Sequence, residues 1–161
     1  MSQELDTRSA LDDALALIRE AELCTLDDET LASLTSMSDL GTVAQTYDIP
    51  IESVADYGVG FESVTDKRTL CGVGMALVQW KFLDGEQGPY VCVWAITKEG
   101  RKVRFVDGGT GIFATLVQVT AARIRIGARY AMSCLGVPHG LRVSEYVNKA
   151  GQPGITYYLA D

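Results

Sequence analysis

Gly72-Val73-Gly74-Met75-Ala76-Leu77-Val78-Gln79-Trp80-Lys81-Phe82 opens a stretch that runs through Tyr90-Val91-Cys92-Val93-Trp94-Ala95-Ile96-Thr97 to Lys102-Val103-Arg104-Phe105-Val106-Asp107. Its three apolar segments, Val73 to Phe82, Tyr90 to Thr97 and Lys102 to Val106, are each bounded by turn residues and read as strands. The first break, Leu83 to Pro89, is polar and holds two glycines and a proline; the second, Lys98-Glu99-Gly100-Arg101, is short enough for a tight hairpin. An antiparallel meander follows. The glycine-rich run Asp107-Gly108-Gly109-Thr110-Gly111 closes it, and a helical pattern covers about Thr110 to Arg123 before two further strand-like runs, Leu141 to Val147 and Ile155 to Leu159. Three strands, a helix and two strands is the order of an OB-type barrel. The expected fold is therefore α+β: an OB-like five-stranded antiparallel β-barrel with one helix between strands three and four, preceded by an acidic helical segment.

At 161 residues the chain suits one body with an appendage, divided here into an acidic helical arm and connector over 1–60 and a basic body over 61–161. Residues 1–66 hold 15 acidic and two basic side chains, a net −13, while residues 67–161 hold 12 basic and six acidic ones, a net +6; together they give the overall −7. An acidic segment joined to a basic body is a pattern of nucleic-acid binders, and equally a means of keeping a protein soluble. Thr7 or Ser9 caps a helix over about Ala10 to Leu23, with Leu11, Leu15, Ile18 and Glu22 on one face. Thr25 followed by Asp28 resembles a capping box for a second helix ending near Met37, and a third helical piece covers Leu40 to Tyr47 before Pro50. Thr42 to Ala55 has a superficial helix-turn-helix rhythm. Its second helix would present Glu52 and Asp56 to duplex DNA, which repel phosphates, so a connector is the better reading.

Cys24, Cys71, Cys92 and Cys134 are widely spaced and form no C-x-x-C pair, which reads as reduced thiols in an intracellular, cytoplasmic setting. The N-terminus lacks a signal pattern and no window reaches the apolar length of a membrane span. His139 is the single histidine, which argues against a zinc centre or a histidine-based catalytic pair, and no cofactor is expected. Asp84 and Glu86 form a close carboxylate pair within a turn and read as solvated. Asp107 to Ile112 lacks the P-loop lysine and spacing. It reads as a strand-to-helix connection in which Asp107 or Thr110 caps the helix, with an anion site as the alternative.

Binding of a single strand requires cations for phosphates and flat side chains for bases. The candidate stacking residues are Trp80, Tyr90, Trp94, Tyr146 and Tyr157, and the candidate phosphate contacts are Lys81, Lys98, Arg101, Lys102, Arg104, Arg123, Arg125 and Arg142. The competing reading is that tryptophan and tyrosine in strands are packing residues. Arg123 to Tyr130 is the most basic run, and it either extends the helix or leaves it as a loop.

Trp80-Lys81-Phe82, the Gly88 turn, Asp107-Gly108-Gly109-Thr110-Gly111-Ile112, Gly140-Leu141-Arg142, Tyr146 and Thr156-Tyr157-Tyr158-Leu159 resemble a group of small actinobacteriophage proteins described as single-stranded-DNA-binding. The resemblance covers roughly Asp66 to Leu159 and its motifs are structural. It implies a non-catalytic protein of replication or recombination whose partner is single-stranded DNA, in the host cytoplasm. The arm at the N-terminus, where bacterial single-strand binders carry an acidic tail at the other end, departs from that pattern. A module for protein interaction or small ligands, with the acidic helices mediating homo-oligomer assembly or engaging a host protein, is the alternative.

Overall fold

A computed structural model describes residues 3–34, 42, 45, 60–108, 111–127 and 140–160. Helix α1 spans Gln3–Glu20 and helix α2 Asp28–Leu34. Strand β1, Glu62–Ser63, and a 3-10 turn, Lys67–Leu70, precede β2, Met75–Gly85, β3, Gly88–Thr97, and β4, Lys102–Asp107. Helix α3, Ile112–Arg125, leads to the hairpin of β5, Gly140–Val147, and β6, Pro153–Ala160. The fold is mixed α+β. The third helical piece expected over Leu40 to Tyr47, the helix-turn-helix rhythm of Thr42 to Ala55 and the thiol of Cys134 fall outside the described residues or almost wholly so.

The meander and the element order are as the sequence implies, but among the described residues the strands do not close into a barrel. Among the described residues the strands make two sheets, β1-β4-β3-β2 and β5-β6, and β5 and β6 pair only with each other. Closure requires β5 or β6 to ladder with an edge of the meander. Instead the β4 edge takes β1 in parallel, Glu62 opposite Val103 and Ser63 opposite Arg104.

One irregularity sets the faces of the meander. Leu77 lies opposite Ala95 and Trp80 opposite Val93, so a bulge at Val78 places residues three apart on the same face. Met75, Leu77, Trp80 and Phe82 thereby line one side with Val91, Val93, Val103 and Phe105, and α3 covers it through a Phe82–Phe113 edge contact at 6.1 Å. Gln79 and Lys81 lie on the opposite side beside Trp94 and Cys92. That side carries α2, and Gln79 is buried. Burial pushes the Cys92 thiol up to about 11.

The N-terminal helices belong to the same core. Ala14, Leu15 and Ile18 of α1 are buried where it packs on α3, and Leu23 and Leu31 join the same cluster. The charge asymmetry has a structural use here, since Asp28 pairs with Lys81 at 3.6 Å and Glu62 with Arg101 at 3.0 Å, while Arg19 and Asp84 at 2.6 Å join the two parts with the signs reversed. The cap of α2 is Asp27 rather than Thr25: Asp27 Oδ1 accepts the Thr30 amide at 2.7 Å, and the Thr30 hydroxyl and amide hold its carboxyl below the usual range.

Helix α1 ends in a Schellman turn, with Leu23 N–H donating to Ile18 O and Glu22 N–H to Arg19 O. Glu22 occupies the left-handed position at φ 64°, where a side chain other than glycine is strained, and its charge faces the negative end of the helix dipole. Glu22→Gly is expected to stabilise the protein by about 1 kcal/mol. Urea denaturation checks this, and an unchanged or lower midpoint would refute the assignment.

Candidate nucleic-acid interface

The predicted site residues divide into those that the fold engages and those that it gathers. Trp80 is fully enclosed, and its indole N–H donates to Thr120 Oγ1 of α3 at 2.9 Å. The Arg123 guanidinium stands over the same ring at 5.8 Å, a cation–π contact that seals it from the helix side. Trp94 is 7% exposed. Neither tryptophan has a free face for a base, so the expectation of two exposed stacking rings on the meander is corrected. The apolar payload of an indole favours the interior wherever its N–H finds a partner.

Lys81 is held by Asp28 of α2, and Arg101 makes a two-pronged contact with Glu62 through Nε at 3.1 Å and Nη2 at 3.0 Å. Arg104 donates to Ser63 Oγ at 2.8 Å, and Lys102 is half-buried on the same strand. Arg125 is exposed in the last turn of α3, which therefore runs through Arg123 and Arg125. Tyr90, half-buried, lies by the β2–β3 turn, at the opposite end of β3 from Lys98. Lys81, Tyr90, Lys102 and Arg104 share one face of the meander, where Asp28 and Ser63 already engage Lys81 and Arg104.

Lys98, Arg142 and Tyr146 do belong to one region. Lys98 and Arg142 line an open cleft of about 480 Å³ between the meander and the hairpin, together with Gly72, Val73, Gly74, Gly140 and the carboxylate-bearing Glu99. The Lys98 chain lies flat on residue 74, since a Cβ there would stand 2.7 Å from Lys98 Cε and 2.9 Å from its Cδ. Glycine at 74 is thus what seats the lysine. The Lys98 amide also donates to Gly74 O at 2.9 Å, and the Gly72 amide to Leu141 O at 3.2 Å, which fixes the two walls. Arg142 and Arg68 both lower the pKa of Cys71, against the larger effect of burial that raises it, so the two guanidinium groups flank that thiol. Among the described residues no carboxylate pairs with Lys98, Arg142 or Arg68.

The hairpin presents rings beside these cations. Register places Arg142 opposite Tyr158, Ser144 opposite Thr156 and Tyr146 opposite Gly154, all on one face. Tyr146 is 50% exposed and Tyr158 39%. The reverse face carries Leu141 and Leu159 into the core and places half-buried Tyr157 beneath the Lys67 ammonium, 5.0 Å from the ring centroid. Arg68 and Tyr158 were missing from the expected site. For Tyr158 the signal was present: Leu159 is the apolar residue that points inward, so alternation turns Tyr157 in and Tyr158 out. For Arg68, in a 3-10 turn, no periodicity was available.

The glycine loop before α3 is self-satisfied at Asp107. Its Oδ2 accepts the Phe113 amide at 3.2 Å and its Oδ1 lies 4.0 Å from Lys67 Nζ, so a protein carboxylate already occupies that end of the helix. Among the described residues no helix is long and apolar enough to cross a membrane.

No protein-family model, curated protein or solved structure matches this chain.

Proposed function

We propose that the protein binds single-stranded DNA without catalysis, through the Lys98–Arg142 cleft and the outer face of the β5–β6 hairpin. The observation that carries this reading is the coincidence of Lys98, Arg142 and Arg68, cations without a carboxylate partner among the described residues, with exposed Tyr158 and Tyr146. The cations take the phosphates and the rings stack on bases, a division of labour that tolerates any sequence. The resemblance to phage single-strand binders agrees with this role and suggests replication or recombination as its setting.

The cleft makes binding modest and countable. Three phosphate contacts give a slope of about −2 in log affinity against log salt for a single strand. Fluorescence anisotropy with a labelled oligonucleotide and the full chain measures it; Arg142→Ala should flatten the slope by about 0.7, and Tyr158→Ala should weaken binding ~10-fold without moving the melting temperature. Absence of binding at low salt would end this proposal. The full chain is required because α1 supplies part of the core.

The reverse face of the hairpin favours a second reading, a protein-interaction module. Val143, Val147 and Ile155 are 39%, 70% and 38% exposed there. Self-association in light scattering that Val147→Lys abolishes, together with no oligonucleotide binding, would favour that reading over the first.

A further inference from the structure

The two exposed rings on the outer face of the hairpin stand a set distance apart. Tyr146 reaches across from β5 onto β6: a Cβ at Gly154 would stand 2.6 Å from Tyr146 Cζ and 2.8 Å from its hydroxyl oxygen, so the ring lies on the main chain of residue 154. That backs one side of the ring, while half of the residue's surface remains accessible. Tyr158 is on the same face, four residues further along β6 and opposite Arg142. The ladder runs from Gly140 to Val147 without a bulge, and four residues of strand put ~13 Å between the two positions. Between them this face carries only exposed Ser144 and half-buried Thr156, which offer hydroxyls and no flat surface. The turn beyond Tyr146 is braced by Asn148 Oδ1, which accepts the Ala150 and Gln152 amides at 3.0 and 2.9 Å.

From this spacing we infer that the hairpin holds two bases that are not neighbours in the strand: one stacks on Tyr158, the next but one stacks on Tyr146, and the base between them passes over Ser144 and Thr156 without a ring of its own. The inference rests on the strand-binding reading and gives it a ligand class, strands of three nucleotides or more. Neighbouring bases in a stacked strand are about 3.4 Å apart, roughly a quarter of the separation of the rings. Extending the strand does not bring neighbours onto both. Three backbone bonds of a peptide span at most ~3.6 Å, so the six of a nucleotide span ~7 Å, and a single step falls short of the second ring. Two steps reach it. The middle nucleotide therefore contributes a phosphate and a spacer, and the two flanking bases each contribute a stack. Arg142, opposite Tyr158, assigns the phosphate contact to that end of the run.

The experiment titrates the full chain with thymidine oligonucleotides of one to four residues, each ending in a phosphate, by calorimetry at low salt. Thymidine is chosen because it stacks weakly on itself. Affinity should rise ~10-fold between two and three nucleotides, the gain of one stacked base, and no more than ~3-fold at the steps on either side, which add only a phosphate. Within the trinucleotide, removing the middle base should cost less than ~3-fold and removing either end base ~10-fold. In Tyr146→Ala and in Tyr158→Ala the jump at three nucleotides should vanish, and each variant should become indifferent to one end base, a different one in each, as a double-mutant cycle requires of contacting pairs. Circular dichroism verifies that both variants are folded. A smooth rise with length, a middle base that matters as much as an end base, or a trinucleotide that fails to bind where a longer oligonucleotide binds overturns the spacing and leaves the strand reading standing. Failure of every oligonucleotide, long ones included, removes both.

Discussion

Trp80→Ala is expected to cost about 4 kcal/mol of stability, the scale for deleting a buried tryptophan from a core that cannot collapse around the gap. The ring is fully enclosed between the meander and α3, and its N–H is tied to Thr120. The substitution removes both, and it leaves Arg123 over a void. In a chain of this length each kcal/mol lowers the melting temperature by about 2–4 °C, so a fall of about 12 °C is expected. Trp80→Phe keeps most of the volume and forfeits the hydrogen bond, with an expected loss of ~1–2 kcal/mol. A base-stacking platform would behave in the opposite way, with an unchanged melting temperature and weakened oligonucleotide binding. Thermal denaturation followed by circular dichroism, with anisotropy on the same samples below the transition, separates the two outcomes.

Gly111→Ala is expected to be nearly as damaging, for a different reason. The start of α3 passes so close to β6 that a Cβ at residue 111 would overlap the Tyr157 carbonyl oxygen and stand 2.8 Å from its carbon. Main chain cannot turn aside as a side chain can, so the hairpin must shift away from the helix. Overpacking of this kind costs about 3 kcal/mol. The shift would also move Tyr158 away from the Lys98 cleft, so oligonucleotide affinity should fall ~10-fold, a loss equal to one stacked base. Gly108→Ala is the control, since its nearest neighbour would be Tyr90 Cβ at an ordinary 3.5 Å. A melting temperature for Gly111→Ala equal to that of the control would refute this account of how the hairpin is docked.

The strands and α3 could be read from local pattern because turn residues and apolar runs are local signals. Gly85 and Gly88, for instance, end β2 and begin β3 around a two-residue turn. Which strands pair was not legible. Leu141 to Val147 and Ile155 to Leu159 declare themselves as strands, but nothing in their alternation says whether their ladder partner is the meander or each other. The bulge at Val78 escaped for a related reason: Val73 to Phe82 is apolar on both faces, so no polar residue marks a change of parity, and Gln79 and Lys81 look solvent-facing when α2 lies above them. β1 is two exposed residues and has no pattern to read. The site was partly legible. Lys98, Arg142 and Tyr146 were identifiable as candidates by residue type, whereas the commitment of Lys81 to Asp28 and of Arg101 to Glu62 depends on contacts across 53 and 39 residues of chain. Cation count overstates an interface when an acidic segment of the same chain folds against it.

The attachment of the hairpin has a further consequence. Leu141 and Leu159 root it in the core, and the Gly72 amide ties its base, while the outward half from Val143 to Ile155 stands largely in solvent. Two strands alone hold together only marginally in water. The tip is therefore a unit that frays without the rest of the molecule unfolding: its amides exchange with deuterium through local opening, while those of β3 wait for global opening. A strand of DNA laid across Tyr158 and Tyr146 would close that gap, so occupancy would register as slowed exchange between Ser144 and Thr156 before any change in the overall melting transition.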